Sequence, residues 1–104
     1  MYNNVVIIGK VIKEPKLFET ANGFQMATML LRVKRSYRNS NGEFDSDDLE
    51  IVLWKNLAEE CLKEISNDAL VLVSGRLQAN NYSKDDKTYY KANIVAEKVS
   101  VISC

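Results

Sequence analysis

The sequence contains no histidine, which removes the commonest general base, the usual nucleophile–histidine triads and any Cys/His zinc site. It has two cysteines, Cys61 and Cys104, which match neither a disulfide framework nor a metal-ligand spacing. That usage fits a reduced, intracellular protein. The four glycines, at 9, 23, 42 and 75, form neither GxGxxG nor a phosphate loop. No apolar run approaches the roughly 18 residues of a membrane span. The opening MYNN carries no cation, and VVII is far shorter than a signal-peptide core of about 7–15 residues. Net charge is also missing: 14 basic residues balance 14 acidic ones. A polyanion site must therefore arise from local segregation of charge.

What is present is a single folded domain over residues 1–104, 46% hydrophobic and 27% charged. A domain this small gains from self-association. Asn4 to Ile12 (NVVIIGKVI) is apolar on both alternating faces, as in a strand buried on two sides, one of them against a second copy. Pro15 and Thr20 to Gly23 mark a turn. Residues 24–37 form a long second strand, with Ala27, Met29, Leu31 and Val33 on one face and Arg32, Lys34 and Ser36 on the other. Asn41–Gly42 predicts a type I′ hairpin turn into a third strand, roughly Asp48 to Trp54.

A helix follows, with Asn56 as cap, Glu59 closing a capping box, and Leu57, Ala58, Cys61, Leu62 and Ile65 along one side. Ser66 to Asp68 ends it. Strand four is expected from Ala69 to Tyr82, with Ser74, Arg76, Gln78, Asn80 and Tyr82 sharing a polar face. SKDDK makes a hairpin tip, and strand five runs from about Thr88 to Ile102 with a bulge. The result is an all-β protein: a five-stranded Greek-key barrel, the OB-fold, with one α-helix between strands three and four.

Charge is segregated in the second hairpin. Arg32, Lys34, Arg35 and Arg38 surround Tyr37 on the incoming arm. Glu43, Asp45, Asp47, Asp48 and Glu50 crowd the outgoing arm. Acids there are placed to pair across the hairpin with the cations. Exposed aromatics interleaved with Lys and Arg on strands are what a single nucleic-acid strand requires, since rings stack on bases and cations neutralise phosphates. Tyr37 meets this demand, and Tyr82 meets it beside Arg76, Gln78, Lys84 and Lys87. From pattern alone Tyr37 serves equally well as a packing partner in the hairpin, and a lone tryptophan such as Trp54 is more often core. Phe24, Met26, Met29 and Phe44 read as packing residues. Lys10, Arg32 and Arg76 read as ordinary solvated charges unless they share one sheet surface. Asp45, Asp47 and Asp48 can be written as a metal-assisted nuclease site, but no calcium-loop pattern completes them. A solvated arm is the simpler account, and neither metal nor cofactor is expected.

NNVVIIGKVIKEPKL, ANGFQMATMLLRVKRSYRNSNGE, IVLWKNLAE and LVLVSGRLQANNY followed by YYKANIVAEKV resemble the bacterial and phage single-stranded DNA-binding proteins over essentially the whole chain. The resemblance implies base stacking by Tyr37, Trp54 and Tyr82, phosphate contacts by Lys10, Arg35 and Arg76, and a homotetramer or dimer of OB domains. With the neighbouring cations, the expected phosphate set is Lys10, Arg32, Lys34, Arg35, Arg38 and Arg76. The expected function is coating single-stranded DNA, without strong sequence preference, in replication, recombination and repair inside a bacterial cell. Asp48 and Leu49 stand where the family usually carries an aromatic. Gln78, Asn80 and Asn81 stand where it is often basic. Weaker binding and less salt sensitivity are expected in consequence. The chain also stops at Cys104, without the acidic tip through which the family recruits partners. Either the sequence is cut short of a longer protein, or it resembles a tail-less accessory or mobile-element member, or a primosome-type protein-interaction module that binds DNA weakly.

Overall fold

A computed structural model describes residues 1–103; Cys104 lies outside the described residues. The chain runs β1 (Val5–Glu19), β2 (Gln25–Arg38), β3 (Phe44–Trp54), α1 (Lys55–Glu64), β4 (Leu70–Ala79), β5 (Tyr82–Lys84), β6 (Lys87–Tyr89) and β7 (Ala92–Ser103). Five strands close a barrel in the order β1-β2-β3-β7-β4, with β4 returning to β1. All neighbours are antiparallel except β3 and β7. This is the expected five-stranded Greek-key OB barrel, with its helix between the third and fourth barrel strands.

The alternation in β2 survives in the structure: Ala27, Met29 and Leu31 are buried, while Arg32 and Lys34 face outward. Val11, Ile51, Leu53, Val71 and Val73 fill the interior with them. Each of the valine, leucine, isoleucine and methionine side chains contributes roughly 1.5–3 kcal/mol of burial. Ala58, Cys61 and Ile65, on and just after α1, close one end. Gly75 sits on β4 close against β7, so that a Cβ there would run into the Val95 carbonyl. The β4–β7 ladder skips Glu97 and Ile102, which are the bulges expected in the last strand.

Four local expectations are corrected. Pro15 marks no turn: it is buried inside β1, where the register shifts between Lys13 and Lys16 and no ladder N–H is needed. The chain reverses only at Thr20–Gly23, where Gly23 takes φ 82°. At the next hairpin only Gly42 of the Asn-Gly pair has positive φ, 79°. Gly42 donates to the Asn39 carbonyl, and the Asn39 side chain accepts from Asn41 and Glu43, giving a wider turn than type I′. The type I′ geometry instead falls at Asp85–Asp86, φ 54° and 63°, between β5 and β6.

The capping box does not form either. Trp54 occupies the cap position with no side-chain hydrogen bond, and Asn56 already lies inside the helix. The cause is the absence of a loop: Lys55, at φ 51°, turns the chain straight from β3 into α1. Finally, strand four ends at Ala79. Asn80 donates to the Lys91 carbonyl, and the Asn81 side chain accepts from the Lys91 N–H, pinching off the distal hairpin as a separate two-stranded sheet.

Candidate nucleic-acid interface

The β2–β3 ladder builds the main surface. Register pairs Arg38 with Phe44 at one end and Met26 with Trp54 at the other. Residues facing each other across a ladder point to the same side, so the basic arm of β2 lies directly against the acidic arm of β3. Arg32 forks onto Asp48, its Nε and Nη2 donating at 2.9 and 3.2 Å. Arg35 forks onto Asp47 at 3.1 and 2.8 Å and comes within 3.9 Å of Asp45. Hydrogen bonds from these guanidiniums hold the Asp47 and Asp48 carboxyls below the usual carboxylate range, and raise Arg32 and Arg35 in turn. All four groups remain open to solvent, and such pairs exchange readily with other ions.

Lys10 lies 3.6 Å from Asp68, and Arg76 lies 3.9 Å from Glu97 while bonding Gln78 at 3.1 Å. Thus four of the six expected phosphate cations already face a carboxylate. Lys34 and Arg38 do something else. Both lie against the ring of Phe44, the register partner of Arg38, at 4.6 and 4.4 Å from its centre. Arg38 also donates to the Gly42 carbonyl at 2.8 Å.

Tyr37 is 62% exposed near the hairpin end. Trp54 is half-buried on the outer face at the opposite end of the ladder. Ten residue steps separate Phe44 from Trp54 along β3, so the two ends lie roughly 30 Å apart at about 3.3 Å per residue. Tyr82 does not share a strand with Arg76 and Gln78, since it belongs to β5. There it stacks on Tyr89, centroids 5.0 Å apart and planes 17° from parallel, with the Lys91 ammonium 5.2 Å from its ring. Sequence reasoning missed Tyr89 and Lys91. Their signal was the type I′ turn at Asp85–Asp86, which sets Tyr82 opposite Tyr89. It also took Phe24 and Phe44 for packing residues; both are exposed.

Asp45, Asp47 and Asp48 form no metal cluster: Asp47 and Asp48 are turned into guanidinium forks, and among the described residues no group of three potential ligands converges. Among the described residues no helix is long and apolar enough to cross a membrane.

A model of the single-strand binding protein family matches residues 2–102. The chain belongs to that family. It is a family of binding proteins, not enzymes. Among its relatives are the single-stranded DNA-binding protein of Bacillus cereus, 36% identical, and protein 1 of that name from Streptococcus pyogenes, 30% identical. Each alignment covers 98% of this chain, but 61% of the Bacillus protein and 78% of the Streptococcus one. The fold also matches a deletion mutant of the Thermus aquaticus single-stranded DNA binding protein, TM-score 0.78 at 20% identity, covering 98% of this chain and 51% of the other. At that identity the likeness speaks for the barrel alone.

Proposed function

We propose that this protein coats single-stranded DNA with little sequence preference, stacking bases on Tyr37, Trp54 and Tyr82. Arg32, Lys34, Arg35 and Arg38 along β2, with Lys10 and Arg76 on the neighbouring strands, neutralise phosphates. One observation carries this: exposed Tyr37 and Phe44 at one end of a ladder and half-buried Trp54 at the other, with cations along β2 between them, span roughly 30 Å, a spacing suited to a flexible polymer rather than to one small ligand. Duplex DNA keeps its base faces stacked and offers the rings nothing. The match to a family of single-strand binders supports the same conclusion. Replication, recombination and repair inside a bacterial cell are the settings in which such strands arise.

The outer face of β1 and its neighbours presents Val6, Ile8, Leu70 and Ile102, all exposed. That apolar face supports self-association into a dimer or tetramer of one-domain subunits. Gel shift and intrinsic fluorescence with oligo-dT test the proposal. Tyr37→Ala and Tyr82→Ala should each weaken binding about 5- to 100-fold, as loss of one base–ring stack does. Absence of any shift by the wild-type protein at low salt would refute it. The four carboxylate-paired cations favour one rival, a protein-interaction module with only weak DNA affinity. In that case substituting Tyr37 and Tyr82 would impair partner capture more than DNA binding.

A further inference from the structure

β1 is long because it bulges rather than turns at Pro15, and this carries Phe18 back into register with β2. Phe18 pairs with Met26, and Met26 pairs with Trp54. Facing residues on adjacent strands hold their Cβ atoms about 5 Å apart on one side of the sheet. Phe18, Met26 and Trp54 therefore form one outward apolar row across β1, β2 and β3, about 10 Å from end to end. It is outward because the intervening neighbours Ala27 and Leu53 are fully buried. Phe18 is 45% exposed, and Phe24, at the hairpin turn beside it, is 48% exposed. The Lys55 ammonium, one residue beyond Trp54, sits 5.1 Å from the Phe24 ring centre. The next outward row begins with Lys16, paired to Thr28. A groove of about 170 Å³ opens there, lined among others by Lys13, Lys16, Glu14, Glu50, Thr28 and Leu30.

Ring, thioether and indole in one exposed row, with ammonium groups at its flanks, match the chemistry of an unpaired base with a phosphate on either side. On the ladder that joins Tyr37 to Trp54, the position facing Arg32 carries Asp48, an anion that repels phosphate. The row of Phe18, Met26 and Trp54 carries no acid of its own, and the nearest carboxylates, Glu14 and Glu50, share the adjoining groove with Lys13 and Lys16. We propose that Phe18 is a further base-stacking residue, carrying the DNA strand from Trp54 across Met26 onto β1, with Lys16 and Lys55 meeting the adjoining phosphates. This rests on the single-strand binding proposed above. It names a contact for which neither periodicity nor the turn at Pro15 expected in β1 gave any reason.

The test uses the full chain carrying Phe18→Ala, Phe18→Leu or Phe18→Tyr, with Trp54→Ala as companion. Oligo-dT affinity, thermal unfolding and solution mass are measured for each. Phe18→Ala and Phe18→Leu should weaken binding about 5- to 100-fold, while Phe18→Tyr stays near wild type. Unfolding and mass should stay unchanged. Irradiation of the wild-type complex made with 5-iodouracil-substituted oligo-dT should leave an adduct on Phe18, localised by peptide fragmentation. Full recovery by Phe18→Leu would mean that the ring merely covers apolar surface, and would overturn the proposal. A change in mass without a change in DNA affinity would assign the row to another copy of the chain, and overturn it too. Wild-type affinity in all Phe18 variants, with binding lost in Trp54→Ala, would sink the role of Phe18 while leaving DNA binding intact. No binding by the wild-type protein would sink both.

Discussion

Replacing Asp47 and Asp48 together by Asn removes both anionic halves of the forks while keeping side-chain shape. In the native protein Arg32 and Arg35 each spend two N–H donors on these carboxylates, at 2.8–3.2 Å. A DNA phosphate must displace or share them, so part of the cationic arm is silenced before DNA arrives. Freeing two guanidiniums permits two more phosphate contacts. On single strands each contact steepens the fall of log affinity with log salt by about 0.7, so the pair adds about 1.4. Between 50 and 200 mM salt, that slope costs the variant about 7-fold more affinity than the wild type loses. At low salt the variant should bind more tightly than the wild type. The assay is fluorescence anisotropy with labelled oligo-dT across that salt range. A Glu59→Gln, Glu60→Gln double variant on α1 makes the same change in net charge on exposed helix positions and serves as control. If the Asp47/Asp48 variant and this control have equal slopes, Arg32 and Arg35 do not lie along the phosphate path, and the reasoning fails.

Three further outcomes follow from the structure. Asp47 and Asp48 are held below the usual carboxylate range, chiefly by hydrogen bonds from Arg35 and Arg32. Their stabilisation is therefore complete above the unfolded value near 3.9, and is lost as pH falls from there through the lowered values. Melting curves between pH 5 and 2.5 should drop more steeply for wild type than for the double Asn variant; parallel curves would refute this. Burial, with Glu60 and Glu64 adding to it, pushes the Cys61 thiol up to about 11. Alkylation at Cys61, read by peptide mass, should then be slow in the folded protein at pH 8 and fast in denaturant, whereas rapid native labelling would contradict it. Gly75→Ala should cost at least about 1–3 kcal/mol, because the new Cβ meets backbone at Val95 and neither strand can yield without breaking the ladder. A melting temperature within a degree of wild type would show that the ladder yields easily.

Several features were readable from residue order because each is fixed by neighbours close in the chain. Alternation from Ala27 to Val33 placed the inner and outer faces of β2 correctly. The charge reversal between Arg38 and Glu43 implied cross-hairpin pairing, and the forks at Arg32 and Arg35 realise it. What remained hidden depends on register. Two shifts in β1 decide where Phe18 lands, and an apolar residue before a turn carries no sign of them. Tyr82 seemed to continue the face of Arg76. The side-chain and backbone bonds at Asn80 and Asn81 interrupt the strand, and period-two counting cannot see that interruption. The capping box failed for the same kind of reason: Asn56 and Glu59 have suitable chemistry, but Lys55 turns the chain one residue too early for them to cap.

The central claim is that flat rings on this barrel bind bases, with cations only assisting. It is tested most directly by titrating Trp54 fluorescence with oligo-dT and with an abasic phosphodiester of equal length and charge. Strong quenching by oligo-dT and a far weaker response to the abasic chain are predicted, with the difference persisting at high salt. Equal affinity for the two polymers would show that charge alone holds the strand, and would contradict the stacking account.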